Sequence, residues 1–247
     1  MTRRLATTAV MIVAFFVGSG VAHAQETGLT PGHVSVWGEI GFEGDLKGNI
    51  NTSGVGQVAG SRAEIDINSW AERYDAALAV RFGFGYALDE HQQLTFTANW
   101  NQAKSDQATV GLIGGQPLLA TFSDYQGWGF DAGYRYYGAT ASKVKPFVSM
   151  AVGVQHVQEI QADLTAAPNI VFNDVPFYQD STVLRGRFGG GFIVMFSDKV
   201  GLQVTGDIQY TGALNDQSGL GTLGFERIND DGRKWSSPLT GGLIVHF

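Results

Sequence analysis

Apolar and polar residues alternate along most of this chain. The longest run covers residues 74–88. Tyr74, Ala76, Leu78, Val80, Phe82, Phe84, Tyr86 and Leu88 share one face, and Asp75, Ala77, Ala79, Arg81, Gly83, Gly85 and Ala87 share the other. A period of two marks a β-strand whose faces meet different surroundings. A run this long, and this aromatic on one face, predicts a strand that crosses a bilayer, for which about 9–11 residues are needed. Seven more segments repeat the pattern. Val34, Val36, Ile40 and Phe42 oppose Ser35, Trp37, Glu39 and Glu43. Leu94, Phe96, Ala98 and Trp100 oppose Thr95, Thr97 and Asn99. Trp128, Phe130, Ala132, Tyr134 and Tyr136 oppose Asp131 and Arg135. Val148, Met150, Val152 and Val154 oppose Ser149, Ala151 and Gly153. Leu184, Phe188, Phe192, Val194 and Phe196 oppose Arg185 and Arg187. Val200, Leu202, Val204, Ile208 and Tyr210 oppose Gln203, Thr205 and Asp207, and Leu239, Leu243, Val245 and Phe247 oppose Thr240 and His246.

The connections alternate in length. Residues 89–91, 138–143 and 197–199 are short turns, whereas 45–73, 105–124, 160–182 and 211–235 are long and polar or glycine-rich. Short turns on one side and long loops on the other predict an all-β, up-and-down antiparallel transmembrane barrel of about eight strands, with the long loops outside the cell. Cross-strand partners must face the same side. The first turn accordingly pairs Tyr86 with Leu94 and Phe84 with Phe96, the third pairs Val194 with Leu202, and the second is expected to pair Tyr134 with Val148. A ten-strand barrel, with an extra hairpin from residues 49–70, is the alternative.

Residues 1–24 read as a cleaved signal peptide: Arg3 and Arg4 precede a short apolar stretch, and Ala22-His23-Ala24 is a small-x-small cleavage site. That leaves residues 25–247 as the barrel domain, with a formal charge of −9 from 14 basic and 23 acidic residues. An acidic balance argues against nucleic acid as a partner. The chain has no cysteine, which excludes disulfides, thiolate metal sites and cysteine nucleophiles.

An eight-stranded barrel is only wide enough for side chains to fill it. Glu39, Glu43, Asp75, Arg81, Asp131, Arg135, Lys145, Arg185, Arg187 and Asp207 fall on the inner faces, five acids and five bases. Buried charges persist only when paired and hydrogen-bonded. The favoured reading is a structural network that plugs the lumen, with Arg187 diagonally across from Asp207. The competing one is a gated path for protons or small ions.

Export signal, alternating strands, short turns and the terminal Phe247 together resemble the small outer-membrane barrels of the OmpA transmembrane-domain, OmpX and opacity-protein group. The resemblance covers the whole mature chain. It implies that Phe247 is the aromatic signal read by the barrel assembly machinery, that outer-membrane lipid and lipopolysaccharide surround the barrel, and that the role is envelope integrity, adhesion or slow solute passage. Proteins like OmpA continue into a peptidoglycan-binding domain. This sequence ends at the last strand, so cell-wall anchoring is not expected.

No catalytic, cofactor-binding or metal-ligating set emerges. His33-Val34-Ser35 matches the His-x-Ser pair of lipid A deacylases but falls at the periplasmic end of its strand, on the wrong side for the outer leaflet. His156 and Glu159 lie on opposite faces, and Gly83, Gly85 and Gly189-Gly190-Gly191 read as curvature glycines rather than phosphate loops. In the third long loop, residues 168–178 read as a hairpin above the membrane. The sharper alternative is an adhesive tip that buries Phe172, Phe177 and Tyr178 on a partner. Asn229, Asp230 and Asp231 read as a solvated turn rather than a cation site. The expected role is structural or adhesive, with a narrow pore as the main rival and a lipid-modifying enzyme as the second.

Overall fold

The computed structural model describes residues 29–58, 60–138, 142–166, 170–216, 224–225, 228–229 and 232–247. The signal peptide, Pro168 and the pair Asp230-Asp231 lie outside them. In chain order the first strands are β1 (Val34–Lys47), β2 (Asn49–Asn51), β3 (Gly54–Val58), β4 (Ser61–Ile65) and β5 (Asn68–Ser69). A single turn, α1 (Trp70–Arg73), leads to β6 (Ala77–Ala87), β7 (Gln92–Ala103), β8 (Ala108–Ile113), β9 (Gln116–Phe122) and β10 (Tyr125–Tyr137). Then come β11 (Val144–Val157), β12 (Ile160–Ala166), β13 (Ile170–Tyr178), β14 (Ser181–Met195), β15 (Val200–Thr211) and β16 (Lys234–His246).

Eight of these close into a barrel in the order β1-β16-β15-β14-β11-β10-β7-β6. Every neighbour is antiparallel, and β1 closes on β16 with Phe42 opposite Leu239. The alternation sorts side chains as expected: Arg81 is 2% exposed and its neighbour Phe82 is 66% exposed. Phe42, Phe130, Val152, Leu184, Phe188 and Leu239 face outward in the same way. So large an apolar surface is stable in lipid and not in water. On β10 the belt runs from Trp128 to Tyr136, both exposed, which on tilted strands is roughly 20 Å of apolar height. The chain is therefore a membrane-spanning barrel, and residues 49–70 add no strands to it.

Register follows the first and third turns, with Phe84 opposite Phe96 and Val194 opposite Leu202. The second differs: Tyr134 pairs with Met150, and Val148 with Tyr136. The connection between paired residues is two longer on its β11 side, where Tyr137 pairs with Phe147 and the Gly138 amide donates to the Pro146 carbonyl. Gly83 and Gly85 have a second purpose besides bending. A Cβ on Gly83 would collide with the inward indole of Trp37, and one on Gly85 with the Gln93 amide.

The long connections are not loose. They form a six-stranded sheet, β13-β12-β9-β8-β4-β3, and a two-stranded one, β2-β5, stacked above one end of the barrel as a cap. Within the expected hairpin, Ile170–Tyr178 form β13, which pairs with β12, and β12 is joined through β9 to the rest of the cap. The cap has its own apolar core, including Ile50, Trp70, Tyr74, Leu118, Phe122, Tyr125, Ile160, Phe177 and Tyr178. Trp70 is at its centre: its ring stacks on Tyr74 at 5.7 Å and Tyr178 at 6.2 Å, and meets Tyr125 edge-on at 5.8 Å. Two of the tyrosine hydroxyls are satisfied, since Tyr178 donates to the Ile50 carbonyl at 2.6 Å and Tyr74 to the Ser123 carbonyl at 2.9 Å, while the Trp70 indole N–H is buried without a partner among the described residues. The turn α1 that carries Trp70 is closed by the Ser69 amide donating to Glu72 at 3.0 Å, which holds that carboxyl below its usual range.

Trp70→Ala should therefore loosen the cap and spare the barrel. Removing a large buried aromatic costs about 3–5 kcal/mol. Proteolysis of the refolded variant should cut within residues 45–73 and 160–182 while the barrel keeps its heat-modifiable gel migration. Loss of both together would show that cap and barrel fold as one unit.

Candidate functional site

The lumen is the place where this sequence concentrates chemistry, and its three levels differ. At the middle, Asp207 is held by two arginines, Arg81 at 2.6 Å and Arg187 at 3.4 Å. Asp131 takes Arg187 at 3.1 Å and Arg185 at 3.9 Å. Arg185 also donates to Asn99 and Gln209, and Asn99 donates to Asp131 at 3.2 Å. Strands β6, β10, β14 and β15 supply these charges because their inward positions fall at the same depth. Gly189 opposes Asp207 in the ladder, which puts Arg187 on the diagonal.

Toward the short turns, Glu39 accepts from Gln203 at 2.7 Å and Thr205 at 2.6 Å. Arg135 lies in an aromatic cage, 4.2 Å from the Phe147 ring centre and 4.7 Å from that of Trp37, and donates to Gln203 at 2.9 Å. Cation–π contact suits a desolvated guanidinium. Trp37, Tyr137, Phe147, Ile193 and Ile244 form a second apolar cluster that closes this end. Lys145 is buried and lines a cavity of about 60 Å³ with His33 and His246.

Toward the cap, Glu43 accepts from Asn101, Gln209 and Ser236 at 2.8–3.1 Å. Lys234 pairs with Asp45 at 3.0 Å and Glu43 at 3.7 Å. Its ammonium sits 4.1 Å from the Tyr125 ring centre and 5.7 Å from that of Trp70. The aromatic core of the cap thus roofs the uppermost charge. A cavity beside Glu39 and Arg81 is about 20 Å³, room for about one water.

Glu39, Glu43, Arg81, Asp131, Arg135, Lys145, Arg185, Arg187 and Asp207 all point inward. Asp75 does not. It is exposed above the barrel rim, because β6 begins only at Ala77 and the Asp75 amide is tied to the Lys104 carbonyl. Tyr74, expected to face lipid, is buried in the cap for the same reason. Two inward charged residues escaped the sequence reading, Lys234 and Asp45. Their signals were the inward phases of two strands: the last extends back from Thr240 through Pro238 and Ser236 to Lys234, and the first runs on from Glu39 through Gly41 and Glu43 to Asp45.

The loop contact is also corrected. Phe177 and Tyr178 are 6% and 0% exposed, and Phe172 packs against the same core. Phe177 and Tyr178 are thus part of the core of the cap and not displayed to a partner, while Phe172 is half-buried against that core. Asn229 is buried and donates to the Phe177 carbonyl. His33 is exposed in a turn while Ser35 is buried and accepts from Gln93 at 2.5 Å, so the two do not form a pair. His156 meets Thr182 at 3.2 Å and the Trp128 ring at 5.2 Å, away from Glu159.

No protein-family model and no curated protein matches the chain. Several solved structures are similar in fold. Neisserial surface protein A (NspA) is 15% identical over 87% of this chain and 97% of that one, with a TM-score of 0.44. The outer membrane protein OprG from Pseudomonas aeruginosa is 15% identical over 90% and 98%, with a TM-score of 0.46. Ail, the attachment invasion locus protein of Yersinia pestis, is 10% identical over 87% and 100%, with a TM-score of 0.43.

Lys234→Ala should leave Glu43 and Asp45 buried without their cation. Breaking a buried pair from one side costs about 3–5 kcal/mol. Urea unfolding of the refolded protein in lipid should show that loss. Arg62→Ala, which removes one partner of an exposed pair with Glu64, should by contrast stay within about 1 kcal/mol.

Proposed function

We propose that the protein is an integral outer-membrane barrel that displays a rigid, acidic β-sheet cap outside the cell, with a structural or surface-binding role rather than transport or catalysis. The observation behind this reading is the double closure of the lumen. Trp70 and Tyr125 cover Lys234 at the cap end, Trp37 and Phe147 enclose Arg135 at the turn end, and the charges between them are paired. A solute path would need an aqueous column, and the cavities beside Arg81 and beside Lys145 are about 20 and 60 Å³.

Charge supports the second half of the proposal. Residues 48–76, 104–124, 158–180 and 212–233 carry 14 acidic and 5 basic side chains, a net charge of −9. That equals the whole net charge of residues 25–247, so the barrel itself is neutral. Exposed acids such as Glu64, Asp163 and Asp174 favour cationic partners through steering that salt weakens. Export by a signal peptide over residues 1–24, recognition of Phe247 by the assembly machinery and contact with lipopolysaccharide belong to the same proposal.

Single-channel recording tests the closure. Protein with verified insertion should be silent, and Arg187→Ala should stay silent while losing stability, because the aromatic closures at both ends remain. Discrete conductance steps in the wild type would make the lumen a pore. For the cap, neutralising Glu64, Asp163 and Asp174 together should weaken retention of cells on a polycationic surface, and added salt should abolish the difference. Unchanged lipid A mass profiles with and without the protein would remove the enzyme alternative.

A further inference from the structure

The outward face of the barrel is not a smooth apolar cylinder. One cross-strand row passes from Ala132 through Val152 and Gly186 to Tyr210 and Trp235, over β10, β11, β14, β15 and β16. Its next member, on β1, is Lys47, paired with Trp235. The middle of the row is low, because Gly186 has no side chain and a Cβ built there would meet nothing within 4 Å. The neighbouring row stands high, with Met150 57% and Phe188 65% exposed. Between them runs an open groove of about 760 Å³.

The groove has a direction and a length. Five strands at about 4.8 Å spacing give roughly 19 Å, and at the usual tilt this descends about 13 Å. A single leaflet contributes about 15 Å of hydrocarbon. The upper end is marked by Tyr210 and Trp235, with ring centres 5.1 Å apart, a pair suited to the boundary between hydrocarbon and headgroup. Lys47 stands exposed just beyond them. On the opposite flank, above Trp128 and His156, the rim carries the exposed acids Glu159 and Asp180 instead. An anionic headgroup is therefore attracted at one side of the rim and repelled at the other.

We propose that this groove holds one acyl chain of a phosphate-bearing lipid of the cap-side leaflet, with the phosphate at Lys47 and the sugar or glycerol against Tyr210 and Trp235. The proposal rests on the membrane-spanning reading given above. It makes the lipid a bound ligand at a defined position, not merely solvent.

The full chain, refolded in a mild detergent, can be titrated with bis-phosphorylated lipid A and separately with a zwitterionic phospholipid, and the adducts counted by native mass spectrometry. One lipid A adduct should persist, at least about tenfold tighter than the zwitterionic one. Gly186→Leu, at a position where an added Cβ meets nothing within 4 Å, fills the groove and should weaken that adduct about tenfold, and Lys47→Glu should weaken it about fivefold or more. Heat-modifiable migration verifies that each variant is folded, and Lys47→Glu decides the matter alone if Gly186→Leu does not fold. Equal affinity for the two lipids, or an adduct indifferent to the folded variants, overturns the proposal. A dimer that Gly186→Leu dissociates overturns it too, in favour of a second copy of the chain. A chain soluble without detergent, observed before any lipid is added, overturns the membrane reading itself.

Discussion

Two aspartates at the middle of the barrel, Asp131 and Asp207, are each shared between arginines, and the rest of the molecule is arranged around that fact. A guanidinium or carboxylate withdrawn from water is tolerated only when its partners are near and well directed. An eight-stranded barrel offers little room for water to do that work. The interior is therefore rich in amides and hydroxyls that add hydrogen bonds to these charges: Asn99 beside Asp131 and Arg185, Gln203 and Thr205 on Glu39, Gln209 between Arg185 and Glu43. Apolar clusters at the two ends keep bulk water from competing with them.

The cap follows from the upper of these ends. Lys234 reaches the rim, where Asp45 and Glu43 neutralise it and two aromatic rings cover it. Those rings need support, and the long connections provide it by pairing with one another. Trp70 is held by Tyr74 and Tyr178, and Tyr178 by the backbone of Ile50. Barrel and cap thus share residues: Tyr125 is both the first residue of β10 and part of the roof. What faces outward from the cap is what remains, and that remainder is acidic.

The barrel was legible in the sequence because one physical contrast, lipid against a filled lumen, repeats at every second residue. Arg81 beside Phe82 states it in two letters. The legibility failed where the contrast ends. Asp75 keeps the inward phase but lies past the rim, where there is no lumen to face. Lys234 belongs to the last strand but sits in a stretch that reads as polar loop. The cap sheet was missed although Leu118, Ala120 and Phe122 alternate and Gly114-Gly115 is a two-residue hairpin turn between β8 and β9; the further partner of β9, β12, comes from a distant segment, and pairing between distant segments leaves no local mark. Phe177 and Tyr178 were noticed for their size, yet size alone does not tell a displayed aromatic from a buried one.

The pairing of Lys234 with Asp45 joins residues 189 positions apart, on the last and first strands of the barrel. It can form only after the intervening strands are in place. A closure slipped by one residue would turn one of the two charges outward into lipid and leave the other unpaired inside. The ion pair thus makes the seam where the sheet closes intolerant of a single-residue slip.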